Sequence, residues 1–360
     1  MIYKNSLNFF VIFFIICILV LYGCNKDENP VKPQSPSGYS FDSTSYDWRC
    51  DTIIADAFYP PFIADTTNIF FREMYGSFIY YNGKNYHYFY PSNIFPLALG
   101  GYDINNIYIG GNLQIGNTNN YIMKIQKWTG SGFNEMPTVD TSFNTFNSIG
   151  NIYCRALNEI WLGTVKGSLY KFDGHASYQR YLIDTNYKFD FLTTFYETNN
   201  SFYVFGYRFK DVYTIDTLKI FQYENDNWNV VYQKKIFNQT EEIFNYQVIS
   251  GQLYALHRDG LYEFEGNDFI KVFNIDEFSC DFGLQGSSLD EFGVEGYNRP
   301  NDPQYTNFYH WNGTKWSFEF KNVYGELYVS KVADRYIILC NNNSLSTFIY
   351  YGNPKKSFKK

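Results

Sequence analysis

Three patterns of apolar and polar positions follow one another along the chain. The first is an uninterrupted apolar run from Phe9 to Tyr22, preceded by a single positive side chain, Lys4. At 14 residues it is shorter than the roughly 20 needed to cross a bilayer as a helix, and it fits the apolar core of a secretory signal. The second, Asn25 to Ser43, holds Pro30, Pro33 and Pro36, few apolar residues and no periodicity. Such a stretch buries too little surface to offset its ordering entropy, so a semi-extended tether is predicted. Short alternating runs, punctuated by Gly, Asn and Asp, fill the rest and predict strands.

The strands repeat. An aromatic residue, a turn residue and a Gly or Asn recur as Tyr81-Asn82-Gly83, Trp128-Thr129-Gly130, Phe172-Asp173-Gly174, Tyr223-Glu224-Asn225, Phe264-Glu265-Gly266 and Trp311-Asn312-Gly313, with a degenerate seventh at Tyr351-Gly352-Asn353. Successive aromatics are 40 to 51 residues apart. Each triplet ends an alternating run such as Ser168–Phe172, and another aromatic usually opens the next: Tyr86, Phe133, Trp228, Phe269, Trp316. This is a hairpin signal. Upstream of each triplet lies a short strand, as in Asn106–Gly110 or Glu159–Gly163, and a further apolar segment such as Phe95–Leu99 usually precedes it.

Four strands in about 45 residues, repeated seven times, predict an all-β fold: a β-propeller of seven four-stranded blades over residues 44–353. A solenoid would need capping units at both ends, and none is seen. A pair of β-sandwiches would not repeat one triplet seven times. The seventh unit lacks a fourth strand, since only GNPKKSFKK follows Tyr351 and residues 354–360 read as a basic tail. Tyr46-Asp47-Trp48-Arg49-Cys50 is the orphan strand expected to complete it. From Ser45 to Asn353 the chain resembles bacterial propellers of the broad Kelch-like and two-component-sensor type, a resemblance that implies architecture rather than function.

The end of the first apolar run, Leu21-Tyr22-Gly23-Cys24, resembles the lipobox of bacterial lipoproteins, although Tyr22 stands where a smaller residue is usual. The resemblance implies a signal peptide over 1–23, a diacylglycerol on Cys24 and membrane attachment outside the cytoplasm through the tether at 24–43. The competing reading is an uncleaved signal anchor with an incidental Cys. Asn25-Lys26-Asp27-Glu28-Asn29 looks like the charged signal that sends some lipoproteins to the outer face of the outer membrane. The expected location is therefore the cell envelope.

Composition narrows the function classes. The formal net charge of -7 disfavours nucleic acid, which calls for a basic face. Cys50, Cys154, Cys280 and Cys340 are widely spaced without a CxxC, so no metal site is predicted. They read as buried thiols in strands, although an extracytoplasmic setting permits disulfides. His87, His175, His257 and His310 are scattered one to a unit and read as structural. There is no GxSxG, HExxH or phosphate loop, and Asn225-Asp226-Asn227-Trp228 lacks the Ser and Gly of a sialidase Asp-box. No cofactor is expected. The repeated aromatics invite a sugar-stacking role, but equivalent blade positions make them core.

One irregularity bears on function. The connection between second and third strands is long in units two, four and six, at Asn112–Asn120, Arg208–Thr217 and Asn298–Thr306. These connections share one face of a propeller, where they either form a rim for a protein or glycan or are tolerated insertions. The leading expectation is a non-catalytic binding or scaffold module. The alternative is a polysaccharide lyase or glycosidase on a propeller frame.

Overall fold

The structure is a computed structural model that describes residues 46–53, 61–73, 76–115, 121–140, 148–165, 167–182, 194–209, 215–236, 245–276, 278–280, 283–297, 307–321, 327–332, 334–341 and 347–355. Residues 1–45, on which the expected signal peptide, Cys24 and the expected tether fall, lie outside them.

Seven antiparallel sheets form a ring, a seven-bladed β-propeller. From the inner strand outward, blade one is Phe62–Asp65, Asn68–Arg72, Phe78–Tyr81 and Tyr86–Phe89. Blade two is Phe95–Gly101, Ile107–Gln114, Tyr121–Trp128 and Phe133–Glu135. Blade three is Ile149–Ala156, Glu159–Thr164, Ser168–Phe172 and Tyr178–Leu182. Thr194–Glu197, Phe202–Phe209, Ile215–Glu224 and Asn227–Lys235 make blade four. Asn245–Ile249, Gln252–His257, Gly260–Phe264 and Phe269–Asn274 make blade five. Blade six has Glu291–Tyr297, Asn307–Trp311 and Trp316–Lys321, and two short pieces, Ser279–Cys280 and Gln285–Ser288, share its innermost place. Blade seven is Leu327–Val332, Arg335–Asn341 and Thr347–Pro354, closed on the outside by Tyr46–Ile53.

The repeated triplet has a structural cause. Its Asn or Asp caps the turn between third and outer strands. Asn82 Oδ1 accepts the Lys84 and Asn85 backbone N–H groups, and Asn312 Oδ1 accepts those of Thr314 and Lys315. Asp173 Oδ1 accepts those of His175, Ala176 and Ser177. The third residue turns the chain in the left-handed region, as Gly83 does at φ 84° and Gly130 at φ 90°, where a Cβ would be strained. Unit four makes the turn with Asn225 and Asp226, both at positive φ.

The core lies between blades. Ile69, Phe71 and Ile79 of blade one pack on Ile337, Leu339 and Ile349 of blade seven. Between blades three and four, Trp161 is fully buried among Tyr181, Phe202, Tyr223 and Trp228. Comparable clusters fill the other interfaces. Most triplet aromatics, among them Phe172 and Trp128, therefore serve as core. Blades two and three approach so closely that a Cβ on Gly100 would sit 2.3 Å from the Ile152 carbonyl oxygen.

The closing strand is fixed on both sides as well as along its edge. It pairs antiparallel with the last strand from Tyr46↔Pro354 to Ile53↔Thr347. Toward blade six, Tyr46 Oη donates to Glu291 Oε1 at 3.0 Å and Trp48 Nε1 to the fully buried Glu319 at 3.0 Å. Toward blade one, Arg49 donates to Tyr81 Oη at 3.1 Å, and Tyr86 Oη donates to Asp51 at 2.9 Å. Cys154 and Cys280 are buried free thiols, as expected, but Cys50 is free and exposed. It sits on an outermost strand with no blade beyond it. Cys340 lies in a strand, and its side chain is outside the description.

Replacing Trp48 by Phe keeps an aromatic ring but removes one donor from a buried carboxylate. Urea denaturation is expected to show a loss of about 1–3 kcal/mol. A loss within error would mean the bond contributes nothing to closure.

Candidate functional site

Four strands running from the inside outward fix which connections share an end of the ring. First-to-second and third-to-outer turns lie at one end. Second-to-third connections and the links between blades lie at the other, here called the linker end. The three long connections predicted as a rim belong to the linker end; the flanking strands end at Tyr297 and begin at Asn307 around the third, as expected, but the first two are shorter than expected. Asn112 is buried inside a strand, paired with Phe95 and Met123. Thr217 is likewise buried in a strand and pairs with Arg208, itself a strand residue. The blade-two hairpin runs further than the sequence suggested because Gly110 and Gly111 do not end a strand. A Cβ on Gly111 would sit 2.1 Å from the Phe95 carbonyl oxygen, so these glycines allow close backbone approach. Asn120, Asn298 and Thr306, with the connections 116–120, 210–214 and 298–306, lie outside the described residues.

The linker end instead exposes aromatics on blades one and two. Tyr90 is 79 % exposed, Phe95 49 % and Tyr88 43 %. Tyr90 lies in the link between the two blades, and Phe95 begins the inner strand of blade two, at the mouth of the channel. Exposed Ile115 follows the second strand of that blade. Along the inner strands of blades one to three is a cavity of about 370 Å³, whose walls include Phe62, Leu97, Leu99, Asn151 and Tyr153. The buried Arg72 also reaches it and donates to the Leu97 carbonyl oxygen.

Below this cavity the polar groups are committed to one another. Tyr153 Oη donates to Glu197 at 3.1 Å, and Arg155 holds Glu197 at 2.8 Å and Glu159 at 2.9 Å. Burial works to raise the Glu159 pKa, but Trp161 Nε1, Arg155 and Lys171 outweigh it and hold the carboxyl below its ordinary range. Asp259 follows the same balance, with Lys271, His257 and Tyr262 as its partners. The Asp173 carboxyl is pushed down to about 2 by the backbone N–H of His175, then by those of Ser177 and Ala176. These are structural carboxylates, ionised and paired.

The four histidines occupy unlike settings. His87 meets the Asn82 amide at 2.9 Å on an exposed outer strand, His175 lies in an exposed turn, and His257 Nδ1 is 2.6 Å from Asp259. His310 is 3 % exposed, and neither ring nitrogen has a hydrogen-bond partner among the described residues. Its ring meets Tyr46 edge-on at 5.0 Å, with Tyr336 at 5.9 Å and Glu291 at 4.0 Å from Nε2. Burial pushes its pKa down to about 4; Glu291 works against that and Lys331 with it. Among the described residues, no group of three or more His, Cys, Asp or Glu is placed to hold a metal ion.

No protein family model matches the chain, and no curated protein matches it. Solved structures do. YCF48 bound to D1 peptide is similar at a TM-score of 0.60 and 13 % identity, covering 88 % of this chain and 100 % of that one. BamB from Moraxella catarrhalis is similar at 0.51 and 11 %, over 84 % and 98 %. The extracellular domain of a one-component system, BT4673 from B. thetaiotaomicron, is similar at 0.52 and 10 %, over 82 % of this chain and 38 % of that one. At these identities the likeness establishes the propeller fold.

The pH dependence of stability follows from His310. Its folded pKa lies below its unfolded value of about 6.5, so the unfolded chain binds the extra proton first. The stability contribution is complete above pH 6.5 and is lost as pH falls toward 4, on the order of 3 kcal/mol in all. Glu291, held low chiefly by Lys331 against burial, adds a further loss below the ordinary carboxylate range. Denaturation curves of His310→Phe, which keeps a ring in the cluster, are expected to flatten between pH 6.5 and 4. An unchanged slope would place the acid sensitivity elsewhere.

Proposed function

We propose that this chain is a non-catalytic binding propeller, held outside the cytoplasm by a lipid on Cys24, that captures a segment of a protein partner at its linker end. The observation that carries the reading is the exposure of Tyr88, Tyr90 and Phe95 from the outer strand of blade one to the start of the inner strand of blade two, where Phe95 stands two residues from Leu97 in the wall of the cavity. Exposed aromatics at the edge of an apolar recess are the usual anchors of protein recognition. A folded chain of this acidity has no reason to expose them for solubility alone.

Two further points support it. Glycoside chemistry needs one carboxyl raised as a general acid, with a second placed across the bond. Glu159, Asp173, Asp259 and Glu291 are all held low and occupied by structural donors. The solved structure of YCF48 carries a bound peptide, so the same fold accommodates such a ligand elsewhere.

The purified full-length chain is expected to select apolar, aromatic-containing peptides from a random display library. Tyr90→Ala and Phe95→Ala should each weaken the selected peptides about ten-fold. Binding that ignores both substitutions, or selection of glycans alone on an array, would overturn the reading. The anchor is checked separately: metabolic labelling with a fatty acid should mark the wild-type chain, and Cys24→Ala should abolish the label. Labelling that survives this change would remove the lipid from the proposal.

A further inference from the structure

A second recess lies at the opposite end of the ring from the aromatic strip, in the seam where the ring closes. It is a crevice of about 200 Å³ between blades seven and one. Three separate segments line it. The closing strand supplies Arg49, the second and third strands of blade seven supply Arg335 and Tyr351, and the turns of blade one supply Thr66, Thr67 and Gly83. We propose that this crevice binds a small oxyanion, a carboxylate, sulfate or phosphate carried on a polar molecule, with Arg335 as its primary partner and Arg49 as its second. The proposal is independent of the reading given to the linker end.

Most charges around the crevice are already in use. Arg49 is half-exposed, pairs with Asp51 at 2.9 Å, donates to Tyr81 Oη and lies over the Tyr351 ring at 4.7 Å. It is therefore held in place with one face of its guanidinium occupied. Asp51 is also taken by Tyr86 Oη. Asp65, next in the chain to Thr66 of the crevice wall, accepts the Thr67 and Asn68 backbone N–H groups, the Thr67 hydroxyl and the Asn68 amide. Burial works to raise its pKa, and the Asn68 and Thr67 donors hold it low. Arg335 differs from these groups: it lines the crevice, is exposed and makes no ion pair or side-chain hydrogen bond among the described residues. Asp334 precedes it in the chain. A planar guanidinium of this kind pairs with oxyanions through two parallel N–H donors. The Thr66 hydroxyl adds a neutral hydrogen-bonding group suited to the polar body of the ligand, and the Tyr81 and Tyr351 rings give that body a wall.

The position of the crevice has a second effect. A ligand there touches the closing strand, blade seven and blade one together, so it binds only the closed ring. Binding restricted to the folded state raises the unfolding temperature, and the rise continues logarithmically as the ligand concentration exceeds Kd.

The test uses the full-length chain and four probes: inorganic phosphate, sulfate, glucuronate and neutral glucose. At least one anion is expected to bind saturably by calorimetry and to raise the unfolding temperature, with glucose inert. Which anion wins tells a carboxylate ligand from a sulfate or phosphate. Arg335→Ala, an exposed substitution, should weaken binding ten-fold or more and abolish the thermal shift; Arg335→Lys should restore part of it. Because sulfate also stabilises proteins by exclusion, only the part of the shift that Arg335→Ala removes counts. Equal binding by wild type and Arg335→Ala, or no saturable binding of any of the three anions, overturns the proposal.

Discussion

The structure depends on a constraint that no single blade can satisfy. A four-stranded antiparallel sheet has two faces, and in this chain both are apolar. Phe70 looks to blade two through Trp128, while Phe71 looks to blade seven. Successive residues of one strand point to opposite faces, so a blade is buried only when it has a neighbour on each side. Seven blades in an open row would leave two such faces in water. Closing the row removes both at once, and the interface between blades seven and one is what closure creates. The strand Tyr46–Ile53 is therefore the element on which the other sheets rely.

The bonds made by that strand fit this role. A mere edge pairing would leave the seam as weak as any outer strand. Here the side chains alternate between flanking blades: Tyr46 and Trp48 donate to carboxylates of blade six, and Arg49 and Asp51 bond to tyrosines of blade one. One strand thus ties three blades. His310, whose ring nitrogens find no hydrogen bond among the described residues, sits in the same cluster, against Tyr46 and Tyr336. A neutral ring is tolerated there and a charged one is not, which gives the seam its dependence on protonation.

Much of this was legible in the chain because the turn chemistry is local. An Asn or Asp side chain that caps its own turn, followed by a left-handed glycine, writes the same three residues into successive blades, as Asn82-Gly83 and Asn312-Gly313 show. The closing strand was legible for the same reason, as an alternating run with no partner nearby. What escaped was set by tertiary packing. Gly110-Gly111 reads as the end of a strand, yet its backbone continues, with Ile149 and Ile152 of blade three close against Gly110 and the Phe95 backbone of its own blade against Gly111. The inner strand of blade six is in two pieces with Gly283 at positive φ between them, and a lone glycine in the sequence does not tell such a break from a bulge. The exposed Tyr90 and Phe95 have the same letters as the buried aromatics around them, so only the fold separates a candidate docking strip from core. Arg335 was equally silent, since an arginine after a turn says nothing about the crevice it lines.

The pairing of Tyr46 with Pro354 also sets an order of events in the making of the molecule. The strand needed last is made first. At a synthesis rate of about 5–20 residues per second, the roughly 300 residues between the two partners take on the order of 15 to 60 seconds to emerge. Throughout that interval Tyr46, Trp48 and Ile53 are side chains without a sheet, and once blade six is made Glu291 and Glu319 still lack their bonds from Tyr46 and Trp48. The ring is thus a chain whose opening segment must wait, unpaired and competent, for its own far end, so its most vulnerable period falls before it has a fold to defend.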